Sequence, residues 1–151
     1  MFKQPNPIPF TKEGYDKLQG KLDTLQKYRE EVLVRLQRAR EQGDLSENGA
    51  YKSARFELSD TDRNIRQLQF QIKYGKVEEP RTDGTVGIGN TVTLQKEDGS
   101  KVKYQIVGTY EADPIQGKIS IESPMGLSVL GRKIGEDIVV NGNKLKINEV
   151  V

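Results

Sequence analysis

Residues 39–51 read Ala-Arg-Glu-Gln-Gly-Asp-Leu-Ser-Glu-Asn-Gly-Ala-Tyr, and this short stretch joins two long heptad patterns. Before it, apolar residues recur at alternating spacings of three and four, with one position filled by Arg29. They are Tyr15, Leu18, Leu22, Leu25, Val32, Leu36 and Ala39. After it, the same spacing continues through Tyr51, Ala54, Leu58, Thr61, Ile65, Leu68 and Ile72. Such spacing aligns side chains along one helical seam. Because so few residues connect the seams, we predict two helices that fold back as an antiparallel coiled-coil hairpin.

The limits of both predicted helices are marked in the sequence. Thr11 is suited to cap the first helix, and Glu13 lies favourably in its first turn. Gly43 ends this helix, and Tyr74-Gly75 ends the second. A first helix of about thirty residues is about 45 Å long. The hairpin therefore holds its connecting residues far from its base.

The chain after Gly75 has the pattern of a small β-rich unit. Strands are expected over 90–97, 101–109, 118–122, 136–140 and 144–150, with hairpin turns at Asp98-Gly99-Ser100 and Asn141-Gly142-Asn143. A short helix is expected over 124–130, closed by Gly131. The prediction is an α+β protein of two domains: a hairpin over 1–75, a polar linker over 76–89, and an antiparallel sheet with one short helix over 90–151.

Composition excludes several classes of chemistry. The 151 residues include no Cys and no His, so thiol nucleophiles, imidazole bases and the usual zinc and iron sites are excluded. Basic residues number 24 and acidic residues 22, for a net charge of +2. No apolar run approaches the roughly 20 residues of a membrane span. The first residues lack the apolar core of a secretory signal, so we expect a cytoplasmic protein.

Two acidic residues, Asp44 and Glu47, lie three apart in the connection. The common meaning of this spacing is a capping box, with Asp44 or Ser46 capping the second helix and Glu47 satisfying its first amides. The alternative is a pair of exposed carboxylates presented to a divalent metal held elsewhere. Mg²⁺ suits such a pair, because it usually takes only one or two protein carboxylates. The two interpretations are compatible, since a cap also fixes where the acids point.

Basic side chains surround this connection, at Arg35, Arg38, Arg40, Lys52 and Arg55. Their ordinary meaning is a solvated helix face with partners one turn away. The alternative is that these positive charges attract a nucleic-acid backbone while Asp44 and Glu47 bind a metal.

Over essentially its full length the chain resembles the bacterial Gre transcript-cleavage factors, and GreA more than GreB. The matching residues in the connection are 39–48 together with Tyr51. In the second unit they are Glu111-Ala112-Asp113-Pro114, Gly117-Lys118-Ile119-Ser120, Ser123-Pro124 and Leu130-Gly131-Arg132-Lys133-Ile134-Gly135. The chain departs from the family at Gly49-Ala50, where Ala followed by an acid is usual, but it keeps the main acidic pair.

The resemblance implies a function at RNA polymerase. The C-terminal domain, FKBP-like in such factors, binds the polymerase near the rim of its secondary channel, and the hairpin enters the channel. Asp44 and Glu47 then help to hold the second Mg²⁺ of the polymerase active centre, so the factor stimulates the polymerase's own cleavage of backtracked nascent RNA at its 3′ end. It is not itself an enzyme. Mg²⁺ is held mainly by the polymerase.

The resemblance also assigns roles to other residues. Arg40, Lys52 and Arg55 match the basic patch that touches extruded RNA. The tip of the hairpin is shaped by Gly43, Ser46, Asn48 and Tyr51, with core packing ranked first for Tyr51. Polymerase contacts are predicted at Ser123, Pro124, Met125, Gly126 and Gly131.

The short connection favours pairing of the helices within one chain, hence a monomer.

Three alternatives belong to other classes. A Gre-like polymerase inhibitor occupies the same channel without stimulating cleavage, but such inhibitors depart from the Asp-Leu-Ser-Glu sequence that this chain keeps at 44–47. A prolyl isomerase is suggested by the FKBP-like resemblance, and requires an aromatic-lined pocket. After Gly75 the aromatic residues are Tyr104 and Tyr110 alone. A purely structural coiled-coil adaptor leaves the match at 39–48 unexplained.

Overall fold

The computed structural model describes residues 2–43 and 47–151. Its helices and strands are β1 (Ile8–Phe10), α1 (Lys12–Glu41), α2 (Gly49–Tyr74), β2 (Gly75–Val77), β3 (Thr91–Lys96), β4 (Lys101–Val107), β5 (Lys118–Ser120), α3 (Pro124–Val129), β6 (Asp137–Val140) and β7 (Asn143–Val150). They form two units. One is the hairpin Asp16–Tyr74, and the other combines the residues up to Tyr15 with Gly75–Val151. The α+β class and the presence of a helical hairpin are confirmed.

The hairpin buries the predicted seam. Leu18, Leu22, Val32, Leu36 and Ala39 of α1 are buried, as are Ala54, Thr61 and Ile65 of α2. Two ion pairs join the helices: Arg29 Nε to Asp62 Oδ1 at 2.5 Å, and Arg35 Nη2 to Glu57 Oε2 at 2.6 Å. Residue numbers rise along α1 as they fall along α2, so the helices are antiparallel. Arg29, which interrupts the heptad pattern, therefore finds a carboxylate on the partner helix.

The start of α1 is held by a residue distant in sequence. The Thr11 hydroxyl accepts a hydrogen bond from the Gly14 backbone N–H at 3.0 Å, which confirms the predicted cap. The Glu111 carboxylate accepts from the Thr11 backbone N–H at 2.9 Å and also from the Thr11 hydroxyl. Phe10 is buried beside them and contacts the rings of Tyr15 and Tyr110. This first turn of α1 thus belongs to the sheet-containing unit.

The structure divides the chain differently from the predicted boundaries. β1 pairs in parallel with β2, so the N-terminal residues join the unit that follows the hairpin. The predicted linker 76–89 contains part of β2 and the buried residues Val86 and Ile88. The side chain of buried Asn90 also holds this segment in place. It accepts a hydrogen bond from the Arg81 N–H and donates one to the Arg81 carbonyl, both at 2.9 Å. Non-local pairing and buried apolar residues make this segment part of the fold.

The C-terminal sheet has five strands in the order β5-β4-β3-β7-β6. Three of its pairings are antiparallel, as predicted, but β4 and β5 pair in parallel. The prediction of a purely antiparallel sheet was therefore wrong at this edge. The parallel pair arises because residues 108–117 form a crossing connection with two short 3-10 turns between β4 and β5. The β6–β7 turn is as predicted: Asn141 and Gly142 both have positive φ, which a type I′ turn requires.

The core of this unit lies between one face of the sheet and α3. Its buried side chains are Val86, Val92, Leu94, Ile106, Val129, Ile138, Val140, Leu145 and Ile147. Val129 comes from α3, so the short helix covers the sheet. Ser123 caps α3 by accepting a hydrogen bond from the Gly126 N–H at 3.0 Å.

Candidate functional site

The connected end of the hairpin is built by the end of α1 and the start of α2. α1 ends at Glu41, and Gly43 follows with a φ of 113°, a conformation that favours glycine. This agrees with the prediction that Gly43 stops the helix. Asp44 and Ser46, which the sequence assigns to metal binding and to tip shaping, lie outside the described residues. The described part of the connection resumes at Glu47.

Asn48 links the two helices at this end. Its Oδ1 accepts a hydrogen bond from the Tyr51 backbone N–H at 3.1 Å, which caps α2. Its Nδ2 donates to the Ala39 carbonyl at 2.8 Å, in the last turn of α1. One side chain thus satisfies an orphan donor of α2 and gives a second hydrogen bond to a carbonyl in the last turn of α1, which also accepts from the Gln42 N–H.

Of the two interpretations of residues 44–47, the capping box does not describe Glu47, while Asp44 and Ser46 lie outside the described residues. α2 begins at Gly49, so Asn48 occupies the cap position and Glu47 precedes it. In a capping box the acid would lie three residues after the cap, inside the first turn. Glu47 is instead exposed before the helix, where its carboxylate is accessible. Within residues 2–43 and 47–151, no cluster of three or more acidic side chains forms a metal site.

The basic residues near this end differ in whether they have an acidic partner among the described residues. Arg35 hydrogen-bonds Glu57, and the Tyr28 hydroxyl donates to the same carboxylate at 2.9 Å. The hydrogen bond from Arg35, and then that from Tyr28, lower the pKa of Glu57. In the described part of the chain, by contrast, no carboxylate lies within 4 Å of the charged groups of Arg38, Arg40, Lys52 or Arg55.

The predicted RNA-contacting residues lie on α1 and α2 near this end. Arg40 is in the last turn of α1, and its guanidinium carbon is 5.8 Å from the centre of the Tyr51 ring. Lys52 and Arg55 are exposed in the first two turns of α2. The structure thus brings Arg40 to the ring of a predicted tip-shaping residue. Tyr51 is half-buried, which agrees with packing as its first role.

The residues predicted to contact a polymerase surround α3. Ser123 is the cap of α3, and Pro124 and Met125 begin the helix. Gly126 is buried so closely that a Cβ there would lie 2.0 Å from the Ser120 carbonyl oxygen. The Gly131 backbone N–H donates to the Val86 carbonyl at 2.8 Å. Ser123, Gly126 and Gly131 therefore have structural roles in shaping this surface.

Sequence reasoning missed a group of exposed apolar side chains in the same region. Leu127 of α3 is 64% exposed. Val139 of β6 is 66% exposed, but it alternates with the buried core residues Ile138 and Val140 and so lies on the sheet face away from α3. Leu130 and Ile134 are also exposed, between α3 and β6. Exposed apolar groups of this kind are typical of protein-binding surfaces. The sequence did contain a signal, because Leu127, Leu130 and Ile134 are apolar residues that lie outside the predicted strands.

A depression of about 430 Å³ lies between the β3–β4 hairpin, the β6–β7 hairpin and α3. Its apolar lining consists of Val102, Tyr104, Met125, Val140 and Leu145. Tyr104 is the sole aromatic residue among the described residues that line it. The prolyl-isomerase alternative required an aromatic-lined pocket, and this depression does not supply one.

The helices of the described segments include none that is long and apolar enough to cross a membrane. The described residues thus form two units, with exposed acidic and basic groups at the connected end of the hairpin and exposed apolar side chains at and after α3 in the sheet unit.

Comparison with known proteins identifies the family. The N-terminal region, residues 8–77, matches the family "Transcription elongation factor, N-terminal", and residues 81–151 match "Transcription elongation factor, GreA/GreB, C-term". A GreA of Bacillus subtilis is 41% identical over 140 residues, covering 91% of this chain and 89% of its own. A GreA of Macrococcus caseolyticus is 38% identical, covering 94% of each chain. The chain belongs to the GreA/GreB family of transcription elongation factors.

A solved structure supports the fold. The structure of the transcription factor Gfh1 has 23% sequence identity to this chain and a TM-score of 0.50, and the match covers 97% of this chain and 99% of Gfh1. At this level of identity, the likeness concerns the fold alone.

Proposed function

We propose that this elongation factor binds RNA polymerase through the α3 surface of its sheet unit and inserts its hairpin into the secondary channel. There it stimulates the polymerase's Mg²⁺-dependent cleavage of backtracked nascent RNA. Asp44 and Glu47 are the carboxylates that it contributes. The partner supplies the catalytic centre, and the factor itself is not an enzyme.

The observation that carries this proposal is the position of Glu47. Its carboxylate is exposed directly before the Asn48 cap of α2, at the connected end of a hairpin whose first helix has thirty residues and is about 45 Å long. Because Asn48 bonds both helices, the backbone next to Glu47 is fixed from two sides. An exposed acid beside a residue that hydrogen-bonds both helices suits a group that must be delivered to a site in another molecule.

The donor set fits Mg²⁺ only if a partner completes it. Carboxylate oxygens are ligands that Mg²⁺ prefers, and it commonly takes one or two from a protein. The described residues form no cluster of three acids that could hold the ion alone. When bound, the ion supplies charge stabilisation and activation of water in phosphodiester hydrolysis. Asp44 and Glu47 would hold it, while Arg38, Arg40, Lys52 and Arg55 attract the RNA backbone.

The test uses stalled, backtracked elongation complexes with Mg²⁺. We expect the protein to shorten RNA rapidly from its 3′ end, and Asp44→Asn or Glu47→Gln to abolish nearly all of that stimulation. Glu30→Gln is the matched control, since Glu30 is an exposed acid of α1 far from the connection. Polymerase binding, measured by competition, should be unchanged in all three variants. Full cleavage by both tip variants would refute the assignment, and binding without any cleavage by the wild type would favour the inhibitor.

A further inference from the structure

Phe56 is the most exposed aromatic side chain of the hairpin. It lies on α2, and its side chain is 74% exposed. It falls between the seam residues Ala54 and Leu58 and takes no part in the packing of the two helices. The rise along α2 from Gly49 to Phe56 is about 10 Å. A single exposed apolar side chain is ordinary on a protein surface, but this one is a flat ring that lies beside two of the predicted RNA-contacting residues, Lys52 and Arg55.

Around Phe56, the acidic side chains of α2 have cationic partners, whereas two neighbouring cations have no acidic partner among the described residues. Each acidic side chain of α2 has a cationic partner: Glu57 pairs with Arg35, Asp60 with Arg63, and Asp62 with Arg29. Lys52 lies one helical turn before Phe56, and Arg55 is its neighbour in sequence. In the described part of the chain neither cation has an acidic partner within 4 Å. The ring therefore has two cations beside it that lack an acidic partner among residues 2–43 and 47–151 and can attract an anionic partner.

We propose that Phe56, together with Lys52 and Arg55, is a stacking platform for one base of single-stranded RNA. This inference rests on the proposed function and names a contact on the extruded strand. Aromatic rings stack with any base, while neighbouring cations attract the phosphates, and this combination is how proteins bind single strands without reading their sequence. Here the ring of Phe56 supplies the stacking face, and Lys52 and Arg55 supply the cations that attract the phosphates.

The surroundings of Phe56 favour RNA over an apolar protein surface. Its neighbours one turn away on α2 are Lys52, Ser53, Ser59 and Asp60, all polar. A protein contact of high energy is usually centred on an aromatic residue that other apolar groups surround and shield from water. An isolated ring among polar groups lacks that shield. It can still offer its flat face to a base, since stacking needs only the two ring surfaces.

A fluorescence experiment tests the platform without polymerase. The chain contains no Trp, so Phe56→Trp introduces a single indole fluorophore. Phe70→Trp is the matched control, because Phe70 is also exposed on α2 and lies about four turns further from the connection. We expect an oligouridylate to quench the Phe56→Trp variant saturably and less strongly at high salt, with Lys52→Ala weakening the effect. Identical quenching of the two variants would overturn the proposal, whether or not the protein stimulates cleavage.

A second experiment separates base stacking from protein contact. In backtracked complexes with a long extruded strand, Phe56→Ala and Phe56→Leu should each raise the half-saturating concentration of factor about fivefold, the lower end of stacking effects measured by alanine substitution. Phe70→Ala, which leaves the proposed platform intact, should behave as wild type. Full activity of Phe56→Leu would instead assign an apolar protein contact. Weaker binding of Phe56→Ala to polymerase that carries no RNA would do the same.

Discussion

Replacement of Asn48 by alanine should destabilise the hairpin through two lost interactions. The first is the cap of α2, in which Asn48 Oδ1 accepts from the Tyr51 N–H at 3.1 Å. Loss of such a cap costs about 0.5–2 kcal/mol. The second is the 2.8 Å hydrogen bond from Asn48 Nδ2 to the Ala39 carbonyl, worth about 0.5–1.5 kcal/mol. The expected loss for Asn48→Ala is therefore about 1–3.5 kcal/mol.

Serine at the same position separates the two contributions. Ser caps helices as well as Asn does, but its side chain is too short to bridge to Ala39. Asn48→Ser should thus lose only the second interaction, about 0.5–1.5 kcal/mol. The order of stability is then wild type, Asn48→Ser and Asn48→Ala.

Urea unfolding followed by far-UV circular dichroism measures this order. Helices α1 and α2 contain 30 and 26 residues and α3 only 6, so the helical signal reports mainly on the hairpin. Hydrogen exchange of the Tyr51 amide gives a local readout and should accelerate in Asn48→Ala. Equal stability of Asn48→Ala and the wild type would refute the double role of Asn48. An equal loss in the Ser and Ala variants would show that capping contributes nothing.

The remaining predictions concern glycines and one ion pair. Gly20→Ala should stabilise α1 by about 0.5–1 kcal/mol in urea unfolding, because a Cβ there would have no neighbour within 4 Å. Gly108→Ala should destabilise the sheet unit by about 1–3 kcal/mol, since its Cβ would lie 2.0 Å from the Pro9 carbonyl oxygen; equal stabilities would contradict the packing. The lowered pKa of Glu57 means that its pair with Arg35 stabilises the hairpin above the ordinary Glu pKa of about 4.3 and loses this effect as the pH falls through the folded value. Arg35→Leu should raise the NMR titration midpoint of Glu57, and an unchanged midpoint would exclude Arg35 as the cause.

Local features of the fold were predictable from the sequence because their causes are local. The heptad seams, the Thr11 cap, the Asn141-Gly142 turn and the short helix after Ser123 each depend on residues close together in the chain. The start of α2 was missed because Asp, Ser and Asn are all good caps, and three of them stand within 44–48. Only the backbone path decides which of them meets the Tyr51 amide.

Features that depend on distant residues were not predictable from local patterns. The parallel pairing of β1 with β2 joins residues on opposite sides of the hairpin sequence. Glu111 stands a hundred residues from Thr11, the group that it binds. The predicted linker looked polar because of Pro80 and Asp83-Gly84, while buried Val86 and Ile88 follow directly. At the candidate site the sequence indicated the basic residues, but not that Arg35 is engaged by Glu57.

The parallel pairing of β1 and β2 has a consequence for how this architecture can vary. The chain leaves the sheet unit after one of these strands and returns at the other, its immediate neighbour, so the hairpin is an insertion between two adjoining attachment points. Adding one heptad to each helix would preserve the seam and both attachment points while advancing the connecting residues by about 10 Å. The length of the hairpin is therefore separately adjustable, because the helices can gain or lose heptads without any change in the unit from which they start.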